Sequence, residues 1–203
     1  MILVILPLGK EARHTAHWVA RVIMYTAGSI VGGAFLAFVL GSIGMGLHAL
    51  LPGIGYEWGV VFLGVFALLY ALHEFNFIKL PNPQLGWLVP KKWQRSSYLL
   101  GNTLYGIVLG MGIFTFIPFT GFYVLLGWQL VAGAFSLKAA VLLGMLYGLF
   151  RGTPAVLGGI SMLRGVYPMP VSNWLIAHLG WWHAANGLVL LLASSFLLGS
   201  FVL

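Results

Sequence analysis

The sequence predicts an all-α polytopic membrane protein, and three observations carry that prediction. Of its 203 residues, 61% are hydrophobic and 6% are charged, where a soluble domain carries about 25% charged residues. Mean hydropathy is +1.00, and the apolar residues fall in stretches long enough to cross a hydrocarbon core of about 30 Å. The basic residues, which set a formal charge of +7, sit in short segments between those stretches. That distribution belongs to membrane topology and anionic lipid, not to nucleic acid.

In chain order, Met1 to Gly9 is apolar but too short to span, and it is expected to be the inner end of an entering helix. No cleavable signal pattern is present. A basic, histidine-containing approach follows (Lys10, Arg13, His14, His17, Arg21), and the glycine-rich stretch from Val22 to Leu47 predicts one full span. Pro52, Gly53 and Gly55 predict a turn. Trp58 to Leu72, running on to about Phe77, predicts the next span. Lys79 to Arg95, with three prolines and Lys91-Lys92-Trp93-Gln94-Arg95, is the longest polar connection. Tyr98 to Phe135 would measure roughly 57 Å as one helix, too long for one straight pass and tight for two. Pro118 lies near its centre, flanked by Thr115 and Thr120, so the spacing predicts a broken helix whose hydroxyls cover freed backbone groups. Ala139 to about Leu157 predicts a span interrupted near Arg151-Gly152-Thr153-Pro154. Gly158 to Ser172 predicts a loop, and Asn173 to Leu203 a last span.

Counting charges orients the chain. If Tyr98–Phe135 crosses once, Lys10, Arg13, Arg21, Lys79, Lys91, Lys92, Arg95, Arg151 and Arg164 share one side and Lys138 alone takes the other. Nine against one predicts a multi-pass protein of the inner membrane with basic loops in the cytoplasm and the C-terminus outside. A double crossing would give eight against two. Gly28/Gly32, Gly106/Gly110, Gly144/Gly148 and Gly148/Gly152 are GxxxG pairs, expected to serve close helix packing within the chain, with a dimerisation face as the alternative. Trp18, Trp58, Trp93, Trp181, Trp182 and Tyr98 lie near predicted helix ends as interfacial anchors.

Chemistry-bearing residues are few. There is no cysteine, hence no disulfide, thiolate metal site or thiol redox chemistry. His14 and His17 share a helix face without the carboxylate support of a metal site. His178 and His183 are five apart and belong with the tryptophan-rich boundary. Glu74, one of three acids, ends a span, and the plain expectation is an ion pair with Lys79 or another basic residue. Arg151 either snorkels to the surface or turns into the bundle beside Thr153. Nucleophile–base pairs, carboxylate pairs, phosphate loops and metal signatures are missing, so no enzyme, cofactor or metal is expected.

Ile117-Pro118-Phe119-Thr120-Gly121-Phe122, and the layout of the whole chain, resemble the membrane domain of the CcdA/DsbD family of thiol–disulfide carriers. Cysteine-poor relatives of methylamine-utilisation and sulfite-exporter-like type are grouped with that family. The resemblance implies six transmembrane segments, the first truncated here, in two inverted three-helix repeats with proline-broken helices. Repeat one would cover about 1–78, a cytoplasmic connection 79–97, and repeat two about 98–203, all in one bundle. Pro118, Thr120 and Gly121 match the family's proline-flanked motif, and Phe119 stands where its redox cysteine would be. Thiol exchange needs a thiolate, so only the scaffold is implied. An upstream extension would restore the first helix if Met1 is not the start.

Two functions follow from these residues. The first is a non-redox transporter or permease component of CcdA/DsbD-like fold, its substrate pathway lined by Thr115, Pro118, Thr120, Gly121, Arg151 and Thr153. The alternative is a structural or assembly subunit of a larger respiratory, photosynthetic or cytochrome-maturation complex, with lipid and other membrane subunits as partners.

Overall fold

A computed structural model describes residues 15–51, 55–81, 100–114, 117, 119–163, 173–174 and 177–202. Its six long elements are all helices: α1 Thr15–Leu50, α2 Tyr56–Glu74, α3 Leu100–Met111, α4 Gly121–Phe135, α5 Leu137–Leu163 and α6 Leu179–Val202. Among the described residues, three stretches, Trp18–Leu50, Glu57–Glu74 and Leu179–Ser200, are long and apolar enough to cross a membrane. The 36 residues of α1 extend about 54 Å at 1.5 Å per residue, so the expected span begins well inside the basic approach.

The break in the long apolar segment is real, and it opens earlier than Pro118. α3 stops at Met111 because Gly112 takes φ 73°, a left-handed conformation that glycine adopts without a Cβ penalty. The Gly112 amide donates to the Leu109 carbonyl at 3.0 Å, and helix resumes only at Gly121. With 12 and 15 residues, α3 and α4 are each shorter than the roughly 20 residues a helical span needs. Thr115 and Pro118 lie outside the described residues.

Two boundaries differ from expectation. α5 runs unbroken through Arg151-Gly152-Thr153-Pro154. The Thr153 hydroxyl donates back to the Leu149 carbonyl at 3.2 Å, the i−4 back-bond that threonine makes within helices. The loop expected from Gly158 is helical as far as Leu163, and the remainder to Ser172 lies outside the described residues.

The chain divides into two compact units. One comprises Met1–Leu36, Leu85–Phe116 and Gly144–Ala177, the other Ala37–Gln84, Ile117–Leu143 and His178–Leu203. In the first, glycine seams set the packing. A Cβ on Gly28 would lie 2.2 Å from the Thr103 carbonyl oxygen, and one on Gly106 2.2 Å from that of Tyr25. Gly33 and Gly148 bring α5 to α1 in the same way, against the Gly144 and Ser29 carbonyls. The GxxxG pairs are therefore consumed inside the chain, where close backbone approach supplies the packing that lipid cannot drive. Trp18, Val22, Tyr25 and Leu109 form the buried cluster of this unit.

In the second unit, α2 packs along α6 and against α4. Val60, Leu63, Val131 and Leu197 make its core. The Ser194 hydroxyl donates to the Gly64 carbonyl at 2.7 Å. Phe62, Phe66 and Tyr70 climb one face of α2 at i+4 spacing, with ring centroids 5.7 and 4.8 Å apart, and Tyr123 stacks on Tyr70 at 5.3 Å.

Candidate functional site

The same i+4 register that places Phe62, Phe66 and Tyr70 on one face of α2 puts Glu74 at its C-terminal end. Asn76 closes the helix there in left-handed conformation, φ 61°. The Asn76 amide donates to the His73 carbonyl at 2.9 Å and the Phe77 amide to the Leu72 carbonyl at 3.0 Å. This pair of bonds is a Schellman closure. It spends the helix's last carbonyls locally and holds Glu74 in a fixed place. A carboxylate in a last turn faces the negative end of its own helix dipole, so Glu74 needs donors from elsewhere.

Two other helices supply them. Thr120, immediately before α4, donates its backbone N–H to Glu74 Oε1 at 2.7 Å and its hydroxyl to the same oxygen at 2.7 Å. Glu74 thereby covers an orphan amide at the start of α4, as a capping-box glutamate does within one helix, and sits at the positive end of that helix's dipole. The hydroxyl is spent on Glu74, so Thr120 makes no side-chain cap of its own. From α6, Asn186 Nδ2 donates to Oε1 at 2.7 Å, and His183 Nδ1 pairs with Oε2. Thr120 is 4% exposed and Glu74 5%. A buried acid is thus paired and hydrogen-bonded on both oxygens, which is the condition for keeping a charge out of water.

A cavity of about 350 Å³ adjoins this cluster, lined by His73, Asn76, Gly180, His183 and Ala184 with Glu74. The His183 side chain is 32% exposed, so one face of the imidazole meets the cavity while its Nδ1 is committed to Glu74. His73 Nδ1 accepts the Leu80 amide at 2.9 Å, which leaves the proton of the neutral ring on Nε2. Phe119 packs beside His183, ring centroids 5.4 Å apart. Among the described residues no three His, Cys, Asp or Glu side chains gather as metal ligands. What the arrangement can do chemically is hold three helices through one carboxylate.

Of the residues expected to line a pathway, Thr120 and Gly121 belong to this cluster. A Cβ on Gly121 would lie 2.7 Å from Asn186 Oδ1, so the glycine makes room for the amide that reaches Glu74. Arg151 and Thr153 belong to the other unit. There the Arg151 guanidinium lies 6.0 Å from the Tyr147 ring centroid and the Thr153 hydroxyl is turned onto its own helix. Among the described residues, Glu74 pairs with His183, where the sequence predicts Lys79 or another basic residue. His183 and Asn186 were missed. Asn186 is an amide inside an apolar span, three residues after His183, and that i, i+3 spacing puts both on one helix face.

Comparison with known proteins finds relatives of one name. The chain is 29% identical over 170 residues to the methylamine utilization protein MauF of Paracoccus versutus, covering 83% of this chain and 59% of the relative. It is 28% identical to MauF of Methylophilus methylotrophus, covering 78% and 53%, and 28% identical to MauF of Paracoccus denitrificans, covering 85% and 59%. The chain spans a little over half the length of these relatives. No family model matches, and no solved structure matches. These findings correct the resemblance to CcdA/DsbD thiol–disulfide carriers: the relatives are MauF proteins, and no family model supports the carrier assignment. The expectation of a transporter or permease component is overturned by the same relatives.

Proposed function

We propose that this chain is a structural or assembly subunit of a membrane complex that serves methylamine utilization. The observation that carries the proposal is the similarity to MauF proteins over about four-fifths of the chain. The Glu74 cluster supports it: the carboxylate's hydrogen-bonding capacity is spent on tying α2, α4 and α6 together. The test is extraction of native membranes in a mild detergent, followed by mass spectrometry of what co-migrates. Stoichiometric partner subunits are expected, and a chain that migrates alone overturns the proposal. A second measurement asks whether deleting the gene in a methylamine-using host slows growth on methylamine but not on ammonium.

The same proposal places the chain in an inner membrane with its basic segments in the cytoplasm, supported by the nine-to-one charge count. It has six passes in two inverted repeats, the break between Met111 and Gly121 falling within the first pass of the second repeat. Because there is no cysteine, single substitutions report sidedness cleanly. A thiol at Ser200→Cys is expected to react with a membrane-impermeant maleimide from outside, and labelling only from the cytoplasmic side overturns the orientation.

A further inference from the structure

The end of the second unit remote from Glu74 carries a cavity of a different kind. The end of α1, the start of α2 and the end of α4 line an open groove of about 370 Å³, with almost no polar surface. Leu47, Trp58, Phe62 and Phe135 form its walls, with His48 and Gly55 among its lining residues. Trp58, Phe62 and Phe135 are each about half exposed or more, so the cavity opens onto the surface that two candidate spans present to lipid. At roughly 30 Å³ per water-sized group, it has room for about a dozen methylenes.

The flanking residues carry both signs of charge. Glu57 precedes the wall residue Trp58 and is exposed, and Lys138 follows Phe135 by three residues and is exposed. Lys138 also lies in the first turn of α5, the positive end of that helix's dipole. A headgroup with one phosphate and one ammonium is complementary to this pair, whereas a purely anionic headgroup meets Glu57 as a like charge.

We propose that this cavity holds one acyl chain of a glycerophospholipid with an aminated, zwitterionic headgroup. The phosphate lies toward Lys138 and the start of α5, and the amine toward Glu57. The bilayer delivers the ligand, and contact with three helices at once distinguishes it from lipid that merely surrounds the protein.

Two glycines make the test clean. A Cβ on Gly55 or on Gly46 would meet nothing within 4 Å, and only Gly55 lines the cavity. Gly55 has extended backbone, φ −69° and ψ 172°, which any residue adopts. The full chain, in vesicles of equal phosphatidylethanolamine and phosphatidylglycerol, is extracted in mild detergent and weighed by native mass spectrometry. One phosphatidylethanolamine per chain is expected. Gly55→Phe reduces its retention by about tenfold or more by filling the cavity, and Gly46→Phe leaves it unchanged. Glu57→Gln shifts the retained species toward phosphatidylglycerol. Equal retention by Gly55→Phe and the unaltered chain overturns the proposal, as does a protein or an isoprenoid quinone as the species that Gly55→Phe displaces.

Discussion

Glu74 meets four donor groups from two neighbouring helix ends, so its removal orphans all of them at once. Glu74→Ala is expected to lower stability by about 3 kcal/mol or more, read as thermal or denaturant unfolding in detergent. Thr120→Val removes one hydroxyl donor, keeps the backbone bond and should lose about 1 kcal/mol, while Thr120→Ser retains most of it. Exposure of the His183 ring to solvent screens its pairing, so His183→Gln should be milder than Glu74→Ala. A subtler test uses Gly121. A methyl there pushes against Asn186 Oδ1, so Gly121→Ala and Asn186→Leu damage the same hydrogen bond. Their effects should combine to clearly less than the sum in a double-mutant cycle. Full additivity would show that Gly121 acts through something other than the amide.

For whole helices, the deciding contacts are carbonyls against glycines. Gly28, Gly106 and Gly148 each place backbone oxygen where a Cβ would sit, and backbone cannot swing away as a side-chain tip can. Gly106→Leu should leave little folded protein, and Gly199→Leu, where a Cβ meets nothing within 4 Å, should express like the unaltered chain; fluorescence-detected size exclusion compares the two. Much of this scale was legible in the sequence. Apolar length and proline and glycine punctuation gave the long helices and the broken segment, and GxxxG spacing gave the seams. What misled was proline itself. Pro154 predicted an interruption in α5, yet Thr153 bonding back to Leu149 accompanies a continuous helix, and the first stop in the broken segment came from Gly112, not Pro118.

The division of the whole molecule was less legible, because each unit is assembled from three separated stretches of chain. The candidate site suffered the same way. Thr120, Gly121 and Glu74 could each be singled out along the sequence, but Glu74 lies 46 residues from Thr120 and 109 from His183. No local pattern joins them, and His183 beside Trp181 and Trp182 reads as one more boundary residue. By resemblance, the motif Pro118-Phe119-Thr120-Gly121 sets Phe119 where a redox cysteine would be. In the fold, Phe119 packs on an imidazole and Thr120 feeds a carboxylate, a use that needs no thiol. If the chain is an assembly subunit, Glu74→Gln should weaken recovery of its partners more than it weakens its own accumulation, since the carboxylate sets the mutual placement of α2, α4 and α6. Equal losses in both would reduce the cluster to a stability element.

The single face of α2 that carries Phe62, Phe66, Tyr70 and Glu74 works as a ruler. Its divisions are helical turns, and its two ends lie at the apolar cavity and at the carboxylate. Inserting one residue anywhere between Phe62 and Glu74 would rotate the far end by about 100° and swing Glu74 away from Thr120, whatever residue was added. The length of α2 should therefore stay fixed among functional versions of this protein, and an insertion there should be harder to tolerate than most substitutions along the same helix.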